Sequence, residues 1–291
     1  MPQLTRTKAF AITALVLAGC AWGTGFFFGK IALAEMSVGQ NVAWRFIFGT
    51  FVFAPVLFRR APRYSRRDWM LIGIAAFLGI PIQFIVQFMG LQLTTVSHAA
   101  LMIGTLPVML AITSAFTLHE RLHPLGWLAL LASTAGVALI ASSSSAGRGG
   151  ATVKGDLLVI VSMMAAVVMV IISKHLITHH DPLYTTALIL ILGAVVLLIW
   201  VQLTEGISYH HSVRGWAALA SQGLIATTGA YTLWTWGLTH VPAARAGVFL
   251  NLEPVVGTIL GIAFLGDRLG LMGYLGGTLV IGAAVYFSRN S

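Results

Sequence analysis

A long stretch of this chain occurs twice. Residues 237–287 match residues 90–140 at a constant offset of 147 positions, without a gap. The matching pairs are Gly90 with Gly237, Ala99 with Ala246, Pro107 with Pro254, Leu118 with Leu265 and Gly126 with Gly273. The same offset reaches back to Trp69 and Trp216. A fixed offset over about seventy residues indicates two copies of one structural unit.

Composition places both copies in a membrane. The chain is 58% hydrophobic and 9% charged, and its mean hydropathy is +0.90. A soluble globule needs more polar surface than this. The net charge of +9 does not indicate a nucleic-acid partner, because the basic residues lie at the ends of apolar segments rather than in one patch. The single cysteine, Cys20, excludes an intramolecular disulfide and a CxxC site.

Ten apolar segments of helical length follow one another, and most connections between them are short. They cover residues 9–29, 38–58, 69–92, 95–118, 123–142, 155–174, 183–203, 215–238, 242–265 and 270–288. The longest connection, residues 141–154, divides the chain into residues 1–146 and 147–291. Since each unit has an odd number of crossings, the second enters from the opposite side. The sequence therefore predicts an all-α integral membrane protein with ten transmembrane helices in two inverted five-helix repeats, a common plan of secondary transporters.

The distribution of Lys and Arg predicts that both termini are cytoplasmic. In that orientation eleven basic residues lie on the inner side and five on the outer side. The first segment contains Leu17-Ala18-Gly19-Cys20, which has the form of a lipoprotein signal. Its apolar run continues through Phe28, however, so a full membrane span is the better interpretation.

Glycines four residues apart predict close helix packing, because they place two small residues on one helical face. These pairs are Gly19 with Gly23, Gly25 with Gly29, Gly257 with Gly261 and Gly273 with Gly277. Such spacing also arises by chance in a glycine-rich chain. Together the four pairs indicate a tight bundle, especially around the first, ninth and tenth segments.

Several motifs lie in the predicted membrane segments, and one of them occurs in both units. The first segment contains Ala21-Trp22-Gly23-Thr24-Gly25-Phe26, and the second contains Trp44-Arg45-Phe46. Residues 93–122 carry a core motif that returns in residues 241–269. In these motifs the chain resembles the EamA-type drug/metabolite transporters, and among them the YddG-type exporters of aromatic amino acids. One departure is Asp267, where the family usually has glutamate.

The resemblance implies ten transmembrane helices in two inverted repeats, a central substrate route and small organic metabolites as cargo. We therefore expect a secondary transporter of the bacterial inner membrane that exports aromatic or other apolar amino acids by alternating access through a central cavity. A drug or nucleoside exporter of the same fold is the alternative. The expected partners are the small-molecule substrate and the lipid bilayer, with no nucleic acid, cofactor or metal, and the protein is expected to be a monomer.

Two charged residues lie deep in predicted spans. Arg45 lies about seven residues inside the second segment, where insertion of a charge costs about 2.5 kcal/mol or more. It is a candidate cation for a substrate carboxylate, and the alternative is a structural arginine that caps carbonyls. Glu253 precedes Pro254 in the ninth segment, whereas its repeat partner is Leu106. It is a candidate partner of Arg45 or proton carrier, and the alternative is a protonated carboxyl bonded to nearby backbone.

Polar and aromatic side chains complete the predicted substrate site. Gln83 and Gln87 share one face of the third segment because they are four residues apart. An aromatic cavity with few polar groups suits a flat, apolar amino acid. The predicted substrate-binding residues are Trp22, Arg45, Gln83, Gln87, His98, Met102, Tyr231, Trp234 and Glu253. Pro107 and Pro254, at equivalent positions, are predicted to kink their helices and to act in gating.

Other classes of function lack their motifs. The chain has no GxxxxGK[ST] sequence, which excludes a built-in nucleotide motor of that type. It has no HExxH motif and only one carboxylate deep in a span, which argues against a membrane enzyme. A channel or scaffold stays open, and saturable flux with exchange would favour a carrier over a channel. His175 and His179 are a weak metal candidate that fits an interfacial cluster better.

Overall fold

A computed structural model describes residues 2–93, 102–120, 122–143, 152–265 and 270–289. Within these ranges the chain forms helices joined by turns, without β-strands. The helices overlap the predicted apolar segments and differ from them mainly at their ends. Helix α1, for example, begins at Pro2 rather than at residue 9. The beginning of the fourth segment and most of the predicted linker lie outside the described residues.

The helices of the first unit are α1 (Pro2–Ala32), α2 (Val38–Phe53, continued by the 3₁₀ segment Ala54–Phe58), α3 (Arg66–Phe77, Leu78–Ile82 and Gln83–Leu93), α4 (Leu106–Thr117) and α5 (Pro124–Ser143). Those of the second unit are α6 (Val153–His179), α7 (Pro182–Thr204), α8 (Val213–Gly223, Leu224–Gly229 and Ala230–His240), α9 (Ala243–Ala246, Gly247–Asn251 and Leu252–Leu265) and α10 (Leu271–Arg289). Helices α3 and α8 are each continuous through a central π-helical segment.

Several of these helices are long and apolar enough to cross a membrane. Among the described residues there are seven such stretches, in α1, α2, α3, α6, α7, α9 and α10. Two further apolar helices, Leu106–Thr117 and Pro124–Ile140, are shorter. Helix α8 is long when its three parts are taken together, but its sequence is more polar. The all-helical, multi-span character predicted from composition is therefore confirmed.

Helix packing in the two units follows one pattern. Helix α1 packs along α8 and α9, and the equivalent α6 packs along α3 and α4. Helix α2 contacts α8, and its equivalent α7 contacts α3 in the same way. Two pairs of equivalent helices, α5 with α10 and α2 with α7, pack directly against each other. Exchanging the two units thus leaves this set of neighbours unchanged.

The π-helical segments of α3 and α8 occupy equivalent positions but contain different chemistry. In α3 the segment Leu78–Ile82 contains Pro81, which has no backbone N–H to donate. At the equivalent position in α8, Thr228 donates its hydroxyl to the Gly49 carbonyl oxygen at 2.8 Å. The same hydroxyl lies 3.3 Å from the Gly223 carbonyl oxygen of its own helix. The same π-helical backbone therefore occurs with a missing N–H donor in α3 and with a side-chain hydrogen bond in α8.

Equivalent serines cap α3 and α8 at their N-termini. The hydroxyls of Ser65 and Ser212 each accept a backbone N–H bond from the first turn. Each capping serine also contacts an acidic side chain. The Asp68 carboxylate accepts the Ser65 backbone N–H and lies 3.3 Å from a ring nitrogen of His180. Glu35 accepts two bonds from Ser212, through its hydroxyl and its backbone N–H, and these bonds lower the pKa of the Glu35 carboxyl.

Glycines bring α1 into backbone contact with its neighbours. A Cβ on Gly19 would clash with backbone of α9, and one on Gly23 would lie 2.7 Å from the Glu253 carbonyl oxygen. On another face of α1, Cβ atoms on Gly25 and Gly29 would press against side chains of α8. The close packing predicted for these two glycine pairs is therefore confirmed.

The corresponding prediction for α10 is wrong in one of its two residues. A Cβ on Gly277 would meet nothing within 4 Å. The close approach of α10 to α5 instead occurs where Gly276 and Gly136 face each other, and a Cβ on either would clash with the carbonyl oxygen of the other. The spacing of glycines identified the correct helix, but the residue in contact is Gly276 rather than the adjacent Gly277.

This crossing gives a prediction with a neighbouring control. Gly276→Ala should lower the stability of the purified protein by about 1–3 kcal/mol, because its Cβ has no room against α5. Gly277→Ala adds the same methyl group to open space, so its melting temperature should not fall. Thermal unfolding in detergent measures both variants. Equal melting temperatures would contradict the assigned crossing.

Candidate functional site

Arg45 of α2 is buried against the π-helical segment of α8. Its side chain is 7% exposed. The Nε–H group donates to the Thr227 hydroxyl at 2.9 Å, and Nη2 donates to the Ala226 carbonyl oxygen at 3.2 Å. This geometry matches the alternative in which the arginine caps a carbonyl. No described residue accepts a bond from Nη1, so one edge of the guanidinium is uncommitted within that part of the protein.

Two phenylalanine rings lie close to the Arg45 guanidinium. Its Cζ atom lies 4.9 Å from the ring centroid of Phe84 and 5.6 Å from that of Phe46. The two rings contact each other edge to face, with centroids 5.2 Å apart. The π faces of these rings attract the cation. Phe84 was not predicted as a site residue, although it is the repeat equivalent of Tyr231.

Three of the predicted aromatic residues form one cluster between α1 and α8. The Trp22 ring lies 5.4 Å from the rings of both Tyr231 and Trp234, in edge-on arrangements. Tyr231 and Trp234 are three residues apart on α8 and are both buried. Tyr231 also belongs to one buried cluster with Phe46 and Phe84, the two rings near Arg45, so the aromatic cluster adjoins the cation. The result is an aromatic surface beside a fixed positive charge.

Glu253 lies in the first turn of the α-helical part of α9. Its carbonyl oxygen packs against Gly23 of α1, the residue after Trp22. Within the described residues, however, Arg45 and Glu253 do not form an ion pair, since no oxygen–nitrogen distance between them is 4.0 Å or less. The looser association of Arg45 with Glu253 predicted from the sequence stays a prediction.

The remaining predicted binding residues are less closely tied to the cluster. Gln83 and Gln87 flank Phe84 on α3, and both are partly exposed. Met102 is partly exposed, and its carbonyl oxygen accepts the Thr105 hydroxyl at 2.6 Å. His98 lies outside the described residues, so its role in substrate binding stays a prediction.

The two predicted gating prolines lie at the start of α-helix rather than inside it. Pro107 is in the first turn of α4, after a turn at residues 104–105. Pro254 is in the first turn of Leu252–Leu265, after the 3₁₀ segment Gly247–Asn251. The backbone is therefore interrupted just before each proline, where a missing N–H costs least. The two interruptions lie at equivalent places in the two units, and the predicted kinks and gating role of these prolines stay predictions.

Two charged side chains near the end of α8 hold helix termini. The Glu120 carboxylate accepts the Ala244 backbone N–H at 2.9 Å, at the start of α9. Lys174 of α6 donates to the carbonyl oxygens of Leu238 and Val241, the latter at 3.1 Å. Sequence reasoning treated Lys174 only as a topology signal and missed its cap, because no local motif marks a contact over 64 residues.

Comparison with known proteins agrees with this architecture. The family model of the EamA-like transporter family matches residues 9–142 and again residues 153–289. The chain belongs to the EamA-like transporter family. The two matches cover both units, so the resemblance seen in the sequence motifs is confirmed at the level of the family.

The relatives are transporters by name and carry no named substrate. The uncharacterized transporter YetK of Bacillus subtilis (strain 168) is 24% identical over 287 residues, which are 96% of this chain and 87% of the relative. An uncharacterized transporter of Archaeoglobus fulgidus is 24% identical over 280 residues, or 94% and 95% of the two chains. A protein of known crystal structure has the same fold, with a TM-score of 0.81, 20% identity and coverage of 98% and 99%.

The Arg45 contact to α8 can be tested with a pair of threonine variants. Thr227→Val removes the hydroxyl that accepts the Nε–H bond and leaves a charged donor unpaired, which should destabilise the protein by about 1–3 kcal/mol. Thr227→Ser keeps the acceptor and serves as the control. Melting temperatures in detergent distinguish them. If both variants melt like the wild type, the bond does not support the fold.

Proposed function

We propose that this protein is a secondary carrier that exports small organic metabolites, with aromatic and other apolar amino acids as its main substrate class. Its place in the EamA-like family makes it a membrane transporter. The finer proposal rests on one observation: the Trp22–Tyr231–Trp234 cluster lies beside the buried Arg45, and Glu253 lies on the turn of α9 that packs against α1 next to Trp22.

This arrangement is complementary to a zwitterionic amino acid with an apolar side chain. The uncommitted edge of Arg45 is suited to the α-carboxylate, since guanidinium donors bind carboxylates strongly. Glu253 is suited to the α-ammonium group, and the aromatic cluster to a flat side chain. The absence of a direct Arg45–Glu253 ion pair within the described residues supports this assignment, because a substrate can bridge two separated charges.

The proposed architecture has ten membrane spans in two inverted five-helix repeats, residues 1–146 and 147–291. The shared pattern of helix neighbours, the two π-helical segments and the two family matches support it. In this proposal α4, α5 and α8 are spans in addition to the seven longer, more apolar stretches. Both termini lie on the cytoplasmic side of the bacterial inner membrane, as the basic residues indicate. Alternating access then uses the equivalent breaks before Pro107 and Pro254 as hinges.

A substrate panel tests the proposed class. Purified protein in liposomes loaded with unlabelled tryptophan should take up labelled tryptophan and phenylalanine by counterflow, in preference to tryptamine, which lacks the carboxylate. Arg45→Gln should abolish this preference, whereas Arg214→Gln, on the exposed start of α8, should keep it. Melting temperatures show whether Arg45→Gln is folded. Counterflow of uridine or a cationic drug, without counterflow of amino acids, would support the alternative drug or nucleoside exporter and reject our proposal.

Proton coupling through Glu253 is tested separately. Glu253→Gln keeps the size of the side chain but cannot release a proton. If Glu253 carries protons, the variant should lose uptake driven by a pH gradient. Counterflow without a gradient should continue at a raised KM, because the amide oxygen still accepts a bond from the α-ammonium group. Labelled tryptophan uptake with and without an imposed gradient measures both components. Gradient-driven uptake equal to that of the wild type would show that Glu253 does not couple protons.

A further inference from the structure

Asn41 is a fully buried amide on the helix that carries Arg45. It lies four residues before Arg45, so the two side chains emerge on the same face of α2. Asn41 has no exposed surface, and both Oδ1 and Nδ2 are without a hydrogen-bond partner among the described residues. Its side chain therefore differs from Arg45, which has two bonds to α8.

An amide in this condition is costly in a membrane bundle. A buried polar group without a partner loses its hydration and gains no bond in return. The flanking residues Val42 and Ala43 belong to an apolar core cluster, in which a leucine would pack without that cost. A packing role for Asn41 therefore has no physical basis, since neither of its polar atoms contributes to the fold within the described part of the chain.

Comparison of the two units gives a second, independent observation. The repeat equivalent of Asn41 is Leu188, which is buried in the same apolar cluster. Arg45 and Glu253 also correspond to leucines, Leu192 and Leu106. The shared scaffold thus accepts leucine at all three positions. Asn41 belongs with the two charged residues as a polar group that only one unit carries.

We propose that Asn41 is a substrate-binding residue that bonds the polar groups of the transported amino acid next to Arg45. This inference rests on the proposed function. A carboxamide donates through Nδ2 and accepts through Oδ1, so it can bind the α-carboxylate and the α-ammonium group of one zwitterion. In this conformation Asn41 is enclosed, and the substrate reaches it when the helices around α2 separate during alternating access.

Size-matched replacement tests this role. Asn41→Leu should raise the KM for labelled tryptophan in counterflow about tenfold, because a bond to a charged group is lost. Its melting temperature should equal or exceed that of the wild type, since an unsatisfied polar group is replaced by an apolar one. Ser114→Ala is the control: the Ser114 hydroxyl of α4 is also buried without a partner. It should not lower the melting temperature and should leave KM unchanged.

The outcomes separate this inference from the proposed function. If the wild type shows counterflow and Asn41→Leu keeps the wild-type KM, Asn41 does not bind substrate although the proposed function holds. A raised KM with a strongly lowered melting temperature would assign Asn41 a structural role and also reject the inference. If the wild type exchanges no amino acid at all, the proposed function fails first, and the role of Asn41 fails with it.

Discussion

A cation within an apolar helix bundle must have its charge and its hydrogen bonds satisfied by the protein, and much of this structure serves that requirement at Arg45. Arg45 donates two bonds to the π-helical segment of α8, and two phenylalanine rings lie close to its guanidinium. The approach of α2 to α8 is possible because Gly223 has no side chain, since a Cβ there would lie 2.8 Å from the Arg45 carbonyl oxygen. The close contact at Gly223, the π-helical backbone of α8 and the burial of Arg45 therefore depend on one another.

The helical scaffold recurs in both units, whereas the buried polar residues do not. Helix neighbours, capped N-termini and π-helical segments recur in both units. Asn41, Arg45 and Glu253 do not recur, because the other unit has leucine at each of these positions. The first unit carries Asn41 and Arg45 and the second carries Glu253, so the polar residues are distributed over both units without being repeated. The comparison of equivalent positions thus separates residues that recur with the scaffold from polar residues that occur in one unit only.

Most of the fold could be predicted from the sequence because apolar segments of fixed length leave few alternatives in a membrane. The helix positions and the contacts of Gly19 and Gly23 followed from composition and spacing. The contact of Gly276 did not, because spacing alone cannot tell which of two adjacent glycines faces a neighbouring helix. The bonds of Arg45 to α8 could not be predicted from the sequence either, since they join residues that are 182 and 181 positions apart.

The two π-helical segments differ in how freely they can change. Pro81 has no N–H, so α3 cannot restore a full set of α-helical bonds at that place whatever its neighbours do. Thr228 retains its N–H and holds its segment partly through a hydroxyl bond to Gly49, which can break. Helix α8 therefore retains at this place the backbone N–H that an uninterrupted α-helix would need, whereas α3 does not. The segment that keeps its N–H groups is also the one that binds Arg45.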